Sequence, residues 1–206
     1  MKVVEQVEVT LDWRDADLVA HPWPSFARSV GKPHLTEIVR RVAIATKQLD
    51  VYDDDGMPLR VMIGAAWEAM CVRLYPDVWW QPGEVERDGI VGTPDGLGVW
   101  DGDEDERVVE EWKYTAKSMR MPGGKADRHR DITREWLWMQ QVMGYCNMVG
   151  DCRYARLHVC WARGNYEYPL TERYVRYVVR FDERELAANW RMVMANREVV
   201  SDAGLL

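Results

Sequence analysis

Two hydrophobic periods succeed one another along this 206-residue chain, and their order is what most restricts the fold it can adopt. Residues 3–11 (VVEQVEVTL) partly alternate and read as a strand. Residues 34–50 (HLTEIVRRVAIATKQLD) have helical periodicity, with Thr36 placed to cap them. Residues 59–76 (LRVMIGAAWEAMCVRLYP) form a second apolar helix, stopped by Pro76. Residues 77–100 read as strand, turn and strand, punctuated by Pro82-Gly83 and Pro94-Asp95-Gly96. WDGDEDE is a hairpin tip, and RVVEEWKYT, residues 107–115, is a strand. A basic, glycine-containing loop covers 116–130, and a helix covers 131–149, ended by Gly150. YARLHVCWAR and RYVVRF are strands paired across GNYEYPLT, and residues 182–196 are a closing helix. This order predicts one α/β domain with a mixed β-sheet over residues 1–206. No repeat, low-complexity tract or linker divides it.

Composition narrows the class. Nearly half the residues are apolar, enough for a real core, yet no apolar run approaches the ~20 residues of a membrane span. Acids in the first eight residues do not fit a signal peptide, so a cytoplasmic protein with reduced thiols is expected. Cys71, Cys146, Cys152 and Cys160 form no CxxC pair. The net charge of −7 argues against a simple electrostatic DNA binder. It leaves open an enzyme that gathers carboxylates for a metal and is basic along one groove. Eleven tryptophans, against two phenylalanines, are expected mostly in the core.

Within VVEEWKYT, alternation puts Glu111 and Lys113 on one face and Glu110, Trp112 and Tyr114 on the other. A carboxylate and an ammonium so placed suit metal-assisted hydrolysis: the carboxylate binds a divalent cation and the lysine steadies a water or developing charge. The Trp112 backbone carbonyl, lying between them, is a further oxygen donor for a hard cation. Upstream, Asp95 sits between Pro94 and Gly96, where a turn is the plain reading and a metal ligand the functional one. Glu68 is a carboxylate in an otherwise apolar or small helical segment and needs a partner there, a metal being one. Gly64, four residues before it, is read as permitting close approach on that face. Downstream, Gln141 and Tyr145 are four residues apart on one helical face, where an amide and a phenol can reach a phosphate, a base edge or a water.

Taken in order, Gly64-xxx-Glu68, Gly92-Thr-Pro-Asp95-Gly, Glu111-Trp-Lys113 and Gln141-xxx-Tyr145 resemble the PD-(D/E)xK nuclease superfamily. Within it they resemble the RecB-like branch of lambda-type and YqaJ-type phage exonucleases, over residues of about 60–165. The resemblance implies a restriction-endonuclease-like core, with a central mixed β-sheet flanked by helices, and Mg²⁺- or Mn²⁺-dependent hydrolysis of DNA phosphodiesters, leaving a 5′-phosphate. It implies Glu68, Asp95 and Glu111 as metal ligands, Lys113 as the group that positions water and stabilises charge, and Gln141 and Tyr145 as residues holding DNA or the site. Some members carry an iron–sulfur cluster on four cysteines. Here Cys71 lies inside the helix, after Glu68, and no cluster is expected.

The loop KYTAKSMRMPGGKADRHRDITR joins the Glu111 strand to the Gln141 helix, so Lys117, Arg120, Lys125 and Arg128 are expected beside the site as phosphate contacts. The plain alternative is a solvated loop. An exonuclease in phage or mobile-element recombination or repair is the leading expectation. A homo-oligomeric ring or clamp and a phage single-strand annealing protein are its expected partners. A structure- or sequence-specific endonuclease, and a catalytically idle DNA-binding or protein-interaction domain, are the alternatives kept open. A purely structural reading would have to treat the position of Glu68 and the shared phase of Glu111 and Lys113 as accidents.

Overall fold

A computed structural model describes residues 1–9, 32–47, 63–64, 66–68, 70–71, 79–100, 106–118, 131–163 and 173–201. In chain order these form β1 (Lys2–Val9), α1 (Leu35–Ala45), a helical segment α2 (described at 63–64, 66–68 and 70–71), β2 (Trp79–Trp80), β3 (Val85–Arg87), β4 (Ile90–Gly92) and β5 (Gly96–Val99). There follow β6 (Arg107–Ser118), a 3-10 turn (Ile132–Arg134), α3 (Trp136–Val149), β7 (Cys152–Arg163), β8 (Arg173–Arg180) and α4 (Glu183–Ser201).

Six strands make one sheet in the order β1-β8-β7-β6-β5-β2. Among the described strands of this sheet only β6 and β7 run parallel, with Glu111 opposite Leu157 and Trp112 opposite His158; its other described pairs are antiparallel. A parallel pair cannot be closed by a tight turn, and α3 supplies the crossover between them. The sheet is therefore mixed, as the order of periods predicted. One face is apolar through Val109, Leu157, Val159, Trp161, Val175 and Tyr177, and it packs on Leu35, Ile38, Met139, Val142 and Val193 of α1, α3 and α4. The other face carries Trp112, Cys160 and Tyr174, which pack on Trp67 and Cys71 of α2.

Local chemistry shifts several boundaries. His34, rather than Thr36, caps α1: its Nδ1 accepts from the Thr36 backbone N–H. The helix stops at Ala45, where Thr46 Oγ1 bonds back to the Val42 carbonyl and Lys47 takes a positive φ of 57°. Residues 79–99 form four short strands in two sheets rather than strand, turn and strand. The extra hairpin β3–β4 is closed by Asp88 and Gly89, both at positive φ, the pattern of a two-residue turn matched to strand twist. Asp131 caps the 3-10 turn through the Thr133 N–H, so α3 begins only at Trp136. Asp182 and Glu185 exchange reciprocal bonds to each other's backbone N–H, a capping box that starts α4. That helix runs past Asn196, whose amide bonds back to the Met192 carbonyl instead of ending it.

Candidate active site

β6 lies inside the sheet, and its apolar face meets α3. Glu111 and Lys113 share that face, as their two-residue spacing requires. Gln141 and Tyr145 come from the facing surface of α3, one turn apart. Lys113 Nζ donates to Glu111 Oε1 and, at 3.1 Å, to Gln141 Oε1. Gln141 Nε2 donates to Glu111 Oε1 at 2.9 Å and lies 3.1 Å from the Tyr145 hydroxyl. The amide thus clamps the carboxylate and the ammonium with its two ends. All four residues singled out from sequence on these two elements meet.

Asp95 joins them from the bend before β5. Its Oδ2 accepts from the Trp112 backbone N–H at 2.7 Å. β5 pairs with β6 from Val99–Arg107 to Gly96–Glu110 and ends there, and beyond that end the Asp95 side chain takes the Trp112 N–H. For Trp112 it is the N–H, not the carbonyl, that the structure ties to the site; a residue's N–H and C=O point to the same side of a strand, so its carbonyl faces Asp95 too. Glu68 is brought in by α2, whose neighbouring Trp67 is buried over the opposite sheet face.

The electrostatics show one interacting set. Burial, then the Glu111 charge, pushes the Glu68 carboxyl up to about 7. Burial, with Glu111 and Glu68, holds Asp95 well above the carboxylate range, and burial also raises Glu111 against the pull of Lys113. Burial works to lower Lys113, but Glu111, Asp95 and Glu68 outweigh it and keep the lysine an ammonium. Burial and the Glu111 charge raise Tyr145 well above the phenol range, so it stays a neutral donor.

The donor set fits a hard divalent cation. Glu111 is 1% exposed, and its Oε2 finds no hydrogen-bond partner among the described residues. When ionised, three carboxylates against one ammonium leave a net double negative charge in a desolvated place, which a divalent ion bound by oxygen would offset. Among the described residues no three acidic, histidine or cysteine side chains are already drawn to one point at ligand spacing. The carboxylates interact by charge, while Lys113 and Gln141 hold Glu111 through its other oxygen.

Two glycines trade places. Among the described residues, a Cβ on Gly64 would meet nothing within 4 Å, so no described neighbour requires a glycine there. Gly92 does serve close packing: a Cβ there would stand 2.9 Å from Tyr145 Cε1 and 2.9 Å from Met148 Sδ, so its bareness lets the phenol of α3 lie against β4. The side chains of Lys117, Arg120, Lys125 and Arg128 lie outside the described residues. The cysteines fall in two places: Cys146 and Cys152 lie 3.6 Å apart, while Cys71 and Cys160 pack in the Trp112 cluster. Glu110, on the opposite face of β6, and His158 of β7 are both buried, and they bond to each other behind the site.

No family model matches the chain, and no curated protein matches it. Among solved structures it is similar to an alkaline exonuclease from Laribacter hongkongensis, at 13% identity and a TM-score of 0.49, over 86% of this chain and 92% of that one. It is similar to a phage-related exonuclease from Haemophilus somnus 129PT at 10% identity and a TM-score of 0.47, over 82% of this chain and 81% of that one. The Laribacter enzyme in complex with dAMP matches at 14% identity and a TM-score of 0.46, over 88% and 92%. These are exonucleases, the kind of protein the sequence motifs resemble. At such distances the likenesses do not assign a function to this chain.

Proposed function

We propose that the protein is a Mg²⁺- or Mn²⁺-dependent deoxyribonuclease that hydrolyses DNA phosphodiester bonds, acting as an exonuclease in phage or mobile-element recombination or repair. The observation that carries this is the clamp of Glu111, Lys113 and Gln141 beside a buried Glu111 Oε2 with no hydrogen-bond partner among the described residues, with Asp95 fixed on the next backbone N–H. Glu68, Asp95 and Glu111 would hold the ion, with the Trp112 carbonyl as a further donor. The ion, when bound, would neutralise charge on the scissile phosphate and lower the pKa of a bound water.

The chain's own residues do the rest. Lys113 stays protonated and so is a charge donor rather than a base: its ammonium faces the negative charge that builds on phosphate oxygen as water adds. Gln141 bonds both members of the Lys113–Glu111 ion pair and so fixes where the two charges lie. The Tyr145 hydroxyl, held neutral, accepts from the Gln141 amide and keeps its own proton to donate to DNA. Lys117, near the end of β6, and Arg120, Lys125 and Arg128, on the segment that joins β6 to α3, supply phosphate contacts.

The test is purified protein with linear and with closed circular duplex DNA, in Mg²⁺, Mn²⁺ or EDTA. Ion-dependent loss of linear DNA with circles intact is expected. Cutting of closed circles would make it an endonuclease. No cleavage with either ion would overturn the enzyme reading.

A further inference from the structure

The face of the sheet turned away from α3 holds a buried polar chain that the reaction above does not use. Glu110 is 0% exposed, Arg156 3% and His158 4%. Arg156 Nη1 donates to Glu110 Oε1 at 2.5 Å, and Nη2 donates to the Val99 carbonyl at 3.3 Å. His158 Nε2 lies 2.8 Å from Glu110 Oε2, and the Tyr174 hydroxyl bonds His158 Nδ1. An ionised carboxylate only accepts, so Nε2 carries the proton; Nδ1 of the neutral ring then accepts from Tyr174. Burial, which lowers the His158 pKa, favours that neutral ring. Such a network forfeits solvation that valine or leucine would not, and what it provides in return is direction, which apolar packing lacks.

The direction leads to the carboxylates. The His158 ring lies flat on the Trp112 indole, with centroids 4.4 Å apart and planes 3° apart. Trp112 is the residue whose backbone N–H holds Asp95. Tyr174, bonded to the other side of His158, meets Trp67 edge-on at 5.3 Å and 81°, and Trp67 is the residue before Glu68. One imidazole therefore stands behind two of the three carboxylates.

We propose that His158 is a positioning residue for the carboxylate site, setting Asp95 through Trp112 and Glu68 through Tyr174 and Trp67. The inference rests on the metal-dependent reading above. Its test is Mn²⁺ binding by the full chain without DNA, read by calorimetry and by electron paramagnetic resonance of free Mn²⁺, beside the thermal midpoint. His158→Ala is expected to weaken Mn²⁺ binding about 10- to 100-fold. The Mn²⁺ concentration for half-maximal cleavage should rise by the same factor, with a smaller loss of rate at saturating Mn²⁺. His158→Gln, whose planar amide can donate to Glu110, accept from Tyr174 and lie on the indole, should recover most of the affinity. Should His158→Ala not fold, Tyr174→Phe, which removes one hydroxyl, carries the test, with about tenfold weaker binding expected. A purely structural role would lower the midpoint and leave the Mn²⁺ affinity of the folded variant unchanged, and that result overturns the inference alone. A wild-type chain that neither binds Mn²⁺ nor cleaves DNA overturns the inference and the nuclease reading together.

Discussion

Glu110 and Glu111 are chemically identical neighbours with opposite surroundings. Strand phase sends Glu111 to the face it shares with Lys113, Gln141 and Tyr145, and Glu110 to Arg156 and His158. That separation was legible in the alternation of VVEEWKYT. It predicts that Glu111→Gln and Lys113→Ala each lower the cleavage rate by at least about 100-fold, with cooperative unfolding retained. A variant that folds and cleaves at the wild-type rate would remove that residue from its role. Gln141→Leu should cost less, about tenfold, because it loosens both partners without removing either charge. Comparing kcat at saturating metal across the three variants checks the ranking.

At the scale of elements, the seam between α3 and the β3–β4 hairpin depends on Gly92. Gly92→Ala pushes a methyl into Tyr145 and Met148, and it should destabilise the chain by about 1–3 kcal/mol and lower activity by displacing the phenol. Gly64→Ala should do the reverse. Among the described residues that helical position has open space for a Cβ, so stability should rise by about 0.5–1 kcal/mol with activity kept. Urea unfolding with cleavage assays checks both, and a harmful Gly64→Ala would restore the close-approach role that its spacing from Glu68 suggested. The capping of α1 by His34 and the 3-10 start before α3 show why boundaries slip by a residue or two: the choice among nearby cap side chains depends on what each one reaches.

At the scale of the whole molecule, the raised carboxyls link stability to pH. The Glu68 pKa goes from an ordinary 4.5 to about 7 on folding, so the metal-free folded chain keeps a proton that the unfolded chain releases. The stability tied to that proton is present below about pH 4.5 and lost as pH rises through about 7. Asp95 and Glu111, also raised, act in the same sense. Without divalent ions, the wild-type midpoint should therefore fall relative to Glu68→Gln across that window, by about 7–14 °C. A difference that stays flat with pH would remove Glu68 from the interacting set. Millimolar Mg²⁺ should raise the wild-type midpoint more at about pH 8 than at about pH 5, where protons occupy the same oxygens. Melting curves at the two pH values check this.

The sequence by itself determined the class of fold and which of two adjacent acids, Glu111 and not Glu110, shares a face with Lys113, because both follow from short-range periods: two in a strand, and close to four in a helix. It also determined that Gln141 and Tyr145 share a helical face. Only the tertiary structure decided that the Trp112 N–H holds Asp95, that Gly92 and not Gly64 admits a neighbour, and that Glu110 and His158 bond behind the site. Each of these depends on which strands lie side by side and where one of them ends. β6 meets β7 in parallel across a whole crossover, so the pairing of Trp112 with His158 joins residues far apart in the chain, and no local period records it.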